Sequence, residues 1–213
     1  MSPELIWALP AVLALVDWYA VARDDRRTER WAKPAVLTSL MVTALVLGAA
    51  GSGTGWWLLV ALLFGLLGDI ALLSDTVARF KAGVAAFLVG HLAYVACFVA
   101  LGLPRPAWAW LGLVPLVVAL VATRDVVPGV LRAAGGTAGI MVAAYSGVIG
   151  AMLVTAWLTG EPLVALGATI FVASDSILSI DRFVRPLPHA RLVLMVTYHV
   201  GQALIVLGVL TKV

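Results

Sequence analysis

Eight stretches of the chain are apolar over most of their length: residues 4–22, 34–50, 56–73, 82–101, 107–122, 137–158, 162–180 and 190–210. Each approaches the ~20 residues that an α-helix needs to cross a hydrocarbon layer. None shows the ten-residue apolar/polar alternation of a spanning β-strand. The breaks between them carry turn and boundary chemistry: the charged run 23–33, Gly-Ser-Gly at 51–53, Pro104-Arg105-Pro106, Gly135-Gly136 and the Pro186/Pro188 pair. The first stretch has no basic leader and no small-residue cleavage site, and it carries Asp17, so it reads as a helix and not as a signal peptide. The expectation is an all-α polytopic membrane protein, with eight transmembrane helices in a single integral-membrane domain over residues 1–213.

Composition sharpens this picture. Of 213 residues, 63% are hydrophobic and 12% charged, and the mean hydropathy is +1.08. Soluble domains carry about 25% charged residues, so the solvent for most of this chain is lipid. A disordered chain, a disulfide scaffold and a soluble nucleic-acid binder are excluded. Cys97 is the only cysteine and cannot form an intrachain disulfide. The net charge of +3 matters less than its placement. Twelve of the fourteen Lys and Arg residues fall in the odd-numbered loops, leaving only Arg105 and Lys212 on the other side. The positive-inside rule then puts the odd loops in the cytoplasm and both termini outside. The Ala/Val/Arg-rich composition points to a bacterial plasma membrane.

Ionisable groups inside spanning helices are costly and mark sites. Here they are Asp17, Asp69, His91, Asp175 and His199, joined by Tyr145, Tyr198 and Gln202. At ~1.5 Å per residue, Asp69 lies about 7 Å and Asp175 about 9 Å from the cytoplasmic ends of their helices. The polar groups of five helices thus form one layer in the cytoplasmic half, which reads as a cavity open on that side. Asp17, six residues before Arg23, reads as a helix-end carboxylate snorkelling toward the basic loop. Asp69-Ile-Ala-Leu-Leu-Ser-Asp75 and Asp175-Ser-Ile-Leu-Ser-Ile-Asp181 share an Asp-x-x-Leu-x-x-Asp frame. Each precedes a helix with His and Tyr, the trace of a weak four-plus-four parallel repeat. Trp56, Trp57, Trp108 and Trp110 form an interfacial belt.

Several short motifs resemble, in order and over nearly the whole chain, the YhhN-like family of integral-membrane lysoplasmalogenases. They are Lys33-Pro34, Leu67-Gly68-Asp69, Gly90-His91-Leu92-Ala93-Tyr94, Ser174-Asp175-Ser176, Asp181-Arg182-Phe183 and Thr197-Tyr198-His199-Val200-Gly201-Gln202. The sequence departs at His199, where a second Tyr is expected, and at Gly201, where Ala is usual. The resemblance implies hydrolysis of the vinyl ether bond of lysoplasmalogens, releasing a fatty aldehyde and a glycerophospho-ethanolamine or -choline.

Such a reaction protonates the β-carbon of the vinyl ether and captures the oxocarbenium ion with water. Carbon protonation near neutral pH needs a carboxylic acid that keeps its proton, which burial or a neighbouring carboxylate provides. Asp69 and Asp175 are the expected pair, in roles that spacing alone does not order. Tyr145, Tyr198, His91 and Gln202 would position acid and water, while Lys33 with Arg182 or Arg185 would hold the phosphate. The expected partners are a lysophospholipid substrate and membrane lipids, with no nucleic acid. No metal or organic cofactor is required, and the oligomeric state stays open, with Gly65/Gly68 able to pair helices. Two alternatives remain open. One is a metal-dependent membrane lipid hydrolase using Asp69, His91, Asp175 and His199, and the other a proton-linked lipid or metabolite carrier.

Overall fold

The structure is a computed structural model that describes residues 3–74 and 76–213. Asp75, which closes the first Asp frame, lies outside the described residues. Eight α-helices succeed one another: α1 (Pro3–Ala22), α2 (Arg26–Val46), α3 (Gly53–Leu72), α4 (Val77–Leu101), α5 (Ala109–Ala122), α6 (Val126–Leu158), α7 (Pro162–Phe183) and α8 (Ala190–Leu210). Six of them, all but α2 and α5, are long and apolar enough to cross a membrane. Large apolar side chains such as Leu5, Leu9 and Val12 of α1 and Val114, Val117 and Val118 of α5 are exposed. Side chains of this kind at such density want hydrocarbon around them, and the chain is an integral membrane protein.

Two boundaries differ most from the hydrophobic pattern. The charged run 23–33 is not a loop, because α2 begins within it at Arg26. Asp25 caps that start, accepting from the Arg27 and Thr28 amides at 3.1 and 3.2 Å and from the Thr28 hydroxyl at 2.6 Å. Arg, Glu and Ala are good helix formers, so a capped charged segment winds readily. Lys33 therefore sits two turns into a helix. Only the part of α2 from Pro34 onward is apolar, which is why it falls short of a full span by composition. The second difference is in α6, which starts at Val126. The Gly135-Gly136 break is a kink: Gly135 has φ 82° and ψ 175°, a conformation open to glycine, between two helical segments.

The helices pair mainly as α3 with α4 and α7 with α8. In the second pair Gly167 and Gly201 face each other. A Cβ on Gly201 would lie 3.0 Å from the Gly167 carbonyl oxygen and 3.1 Å from the Phe171 amide nitrogen. Small residues allow backbones this close, and the contact fixes α8 beside α7. Gly65 and Gly68 face Leu37 and Phe87 of the same chain, so within this fold they serve packing between its own helices. The main core gathers side chains such as Leu37, Leu58, Tyr94, Phe98, Met152, Phe171 and Ile205. A smaller core of Phe80, Val126, Val130, Ala138 and Val142 joins the start of α4 to the first part of α6. α1 packs on α2 and α8, and α5 packs on α6 and α7. The other six helices supply the lining of the main cavity.

Candidate active site

That cavity has a volume of about 450 Å³, within the range of small-molecule sites. Asp69 enters its wall from α3 and Asp175 from α7. Their partners differ. Asp69 is buried, pairs with Lys33 of α2 at 3.1 Å and accepts from the Tyr198 hydroxyl of α8 at 2.8 Å. Asp175 accepts a short hydrogen bond from the Tyr145 hydroxyl of α6, and no cation pairs with it among the described residues. The longer α7 sets Asp175 eight residues before its end at Phe183, about 12 Å of helix rise.

His91 and Gln202 stand behind this wall and are not among the residues that line the cavity. The His91 Nδ1–H donates to the Phe87 carbonyl at 2.6 Å, and its ring packs edge-on against Tyr145 and Phe171, with centroids 5.2 and 4.9 Å away. Gln202 accepts from the Tyr94 hydroxyl. Both are therefore placed to support the tyrosines. His199 is turned away toward α1, where its Nδ1 accepts from the Trp18 indole at 3.1 Å. Among the described residues no three His, Cys, Asp or Glu side chains converge in a group able to hold a metal. The Asp69, His91, Asp175 and His199 tetrad of the metallohydrolase alternative is thus not assembled.

The mouth of the cavity is charged. Lys33 and Arg182 line the cavity, and Arg185, the alternative to Arg182, does not. Arg182 lies over the Phe80 ring, 4.8 Å from its centroid. Arg26, Glu29, Asp181 and Arg191 also line it, and their spacing along the chain carries no sign of this convergence. Arg191 donates to Asp24 at 2.5 Å and to Glu29 at 2.7 Å, tying the start of α2 to α8. That bond holds the Asp24 carboxyl below the usual carboxylate range. Asp181 is not simply a solvated end, since it accepts from the Leu187 amide at 2.8 Å and orders the turn into α8.

Asp17 corrects the snorkelling expectation. It is fully buried, because its face of α1 packs inward and the carboxyl cannot reach the basic turn. A second, smaller cavity of about 60 Å³ lies between α5, α6 and α7. It shares Val142, Tyr145, Asp175 and Ser179 with the main one. The Tyr145–Asp175 pair is therefore the partition between the two.

A bundle of apolar helices around one cavity that holds two carboxyls with unequal partners defines a polytopic membrane protein with a candidate polar site. The chain belongs to the YhhN family, whose sequence profile matches residues 28–209. It is 36% identical over 155 residues to human lysoplasmalogenase TMEM86B, covering 70% of this chain and 62% of that protein. Bovine lysoplasmalogenase TMEM86A is 30% identical over 155 residues, covering 70% of this chain and 63% of its own length. Porcine lysoplasmalogenase TMEM86B is 34% identical over 165 residues, covering 75% and 66% respectively. The chain thus spans less than two thirds of the length of these curated relatives. No solved structure matches it.

Proposed function

We propose that this protein hydrolyses the vinyl ether bond of lysoplasmalogens, with Asp175 as general acid and Asp69 as general base. The observation that carries this reading is the unequal environment of two carboxyls in one cavity. Lys33 and Tyr198 favour the ionised form of Asp69. Asp175, with a tyrosine and no cation, is the member that keeps its proton. Two carboxyls pushed apart by their surroundings are the usual sign of paired acid and base roles, and an oxocarbenium-like intermediate suits them. Identity to lysoplasmalogenases at 30–36% supports the substrate class.

The protons balance over the cycle. Asp175 gives its proton to the β-carbon of the vinyl ether. Water attacks the resulting cation and Asp69 takes the proton it releases. As the hemiacetal collapses, its hydroxyl proton goes to Asp175 and Asp69 protonates the departing glycerol oxygen. A fatty aldehyde and a glycerophosphodiester leave, and both carboxyls are back where they began. Arg182 at the mouth is suited to the phosphate, a guanidinium group with no carboxylate partner among the described residues, whereas Arg26 pairs with Asp24 and Glu29 at 3.4 and 3.7 Å. Arg191 is already occupied by Asp24 and Glu29. In this reading all eight helices span the membrane, with the termini outside and the cavity mouth in the cytoplasm. The clustering of Arg26, Arg182 and Arg191 at the mouth supports that orientation.

The test is aldehyde release from a lysoplasmenyl-ethanolamine by the purified, EDTA-treated protein. Activity is expected to survive chelation and to fall by at least 10²-fold in Asp69→Asn and in Asp175→Asn, the scale of a lost acid or base. Loss of activity on chelation with recovery on added zinc, or full activity in either variant, would overturn the mechanism.

A further inference from the structure

α1 lies outside the segment that matches the family profile, yet it brings into the bundle a carboxyl that the proposed reaction leaves unused. Asp17 has no exposed surface, and neither of its oxygens has a hydrogen-bond partner. Its position is fixed: α1 packs on α2 and α8, and the Trp18 bond to His199 sets the rotation of the helix. The charged groups that face Asp17 are Lys33 and Glu29 from α2, Asp69 from α3 and Arg191 from α8, with Lys33 acting on it most strongly. His199 of α8 also lies within the field of Lys33.

A buried polar group without a partner is costly, so an orphaned carboxyl within the field of a lysine calls for a use. The Lys33 ammonium has three donors on a flexible four-carbon stem, and Asp69 occupies one of them at 3.1 Å. In the hydrolytic cycle Asp69 carries a proton between water attack and hemiacetal collapse. During that interval the ammonium loses its carboxylate while still buried, a state that is severely penalised.

We infer that Asp17 is a second seat for the Lys33 ammonium. Lys33 bonds Asp69 while that group is ionised, and turns to an oxygen of Asp17 while Asp69 is protonated. The inference rests on the proposed acid–base cycle. Asp17 exchanges no proton in it and touches neither substrate nor reacting atoms, so it is a positioning residue. It lowers the cost of protonating Asp69 by giving the displaced cation an acceptor.

The experiment tracks Asp69 by infrared titration of the carboxylic-acid band that disappears in Asp69→Asn, in wild type, Asp17→Leu and Asp17→Asn. Leucine fills the same space with no acceptor, and Asp17→Ala serves if that variant does not fold. In the acceptor-free variant Asp69 is expected to take up its proton about one pH unit lower, a tenfold weaker proton affinity. The acid limb of the aldehyde-release profile should move with it. Asp17→Asn keeps a carbonyl acceptor and should titrate like wild type. The inference fails if Asp17→Leu titrates like wild type, or if Asp17→Asn shifts as far as Asp17→Leu. A wild type that releases no aldehyde but shows the Asp17→Leu shift would sink the hydrolase reading and leave the second seat standing.

Discussion

At the scale of single residues, each carboxyl of the site is tuned by a hydroxyl from a different helix, and each hydroxyl can be removed alone. Tyr145→Phe deletes the Tyr145 hydrogen bond to Asp175 and is expected to lower kcat about tenfold with KM little changed, because the bond acts on the acid and not on substrate binding. Lys33→Met strands Asp69, whose buried charge loses its counter-ion. Removing one partner of a buried pair costs about 3–5 kcal/mol, so its thermal unfolding should shift well below that of Tyr145→Phe. That Asp69 and Asp175 meet at one cavity was legible in the sequence, because a carboxyl in an apolar helix is costly unless it faces a polar interior. The mouth was not, since Arg26, Glu29 and Arg191 sit at helix starts where charge is ordinary, and only their meeting across α2 and α8 is informative. Asp17 was misread for a related reason: six residues from a basic turn suffices for snorkelling, and spacing says nothing about what covers the helix face.

Among the elements, α2 and α8 carry the consequences of departures from the apolar pattern. The cap at Asp25 turns a charged run into helix and sets Lys33 at the depth of Asp69. Asp25→Ala should cost about 1 kcal/mol and lower activity more than so small a loss of stability accounts for, as measured by denaturation beside aldehyde release. Arg191 fastens this same end to α8. Because it holds the Asp24 carboxyl below its ordinary value, the contribution of that pair is full above the unfolded carboxylate pKa near ~3.9. It is lost as the pH falls through the lower folded value. Arg191→Met should remove that acid-dependent part of the stability curve. Farther along α8, a Cβ at Gly201 meets backbone atoms of α7 at 3.0–3.1 Å. Gly201→Leu should overpack the pair, at about 1–3 kcal/mol, and displace Tyr198 from Asp69. Hydropathy located all eight helices but misplaced the starts of α2 and α6, because lipid-matching length is a property of the apolar run and helix ends are set by caps and by Gly135.

Across the whole molecule, the polar groups converge while the perimeter stays apolar: six helices line one cavity, and α1 and α5 flank them. The positive-inside pattern can be checked by labelling single cysteines in the loops of the protein in intact cells, with Cys97 replaced. Loops after α1, α3, α5 and α7 are expected to react only once the membrane is opened. The interior also governs the fate of the products. The Tyr145–Asp175 pair stands between a charged chamber and a narrow cleft that runs among α5, α6 and α7. In the proposed reaction a cut at that partition would divide an amphiphile at its seam, leaving two fragments that differ in the solvent that suits them. The headgroup fragment has a road back through the arginines to water, and the oily fragment has one toward the acyl chains of the bilayer. On the proposed reaction neither would have to pass the other to leave, and added fatty aldehyde, not added glycerophosphodiester, is expected to slow aldehyde release in a turnover assay.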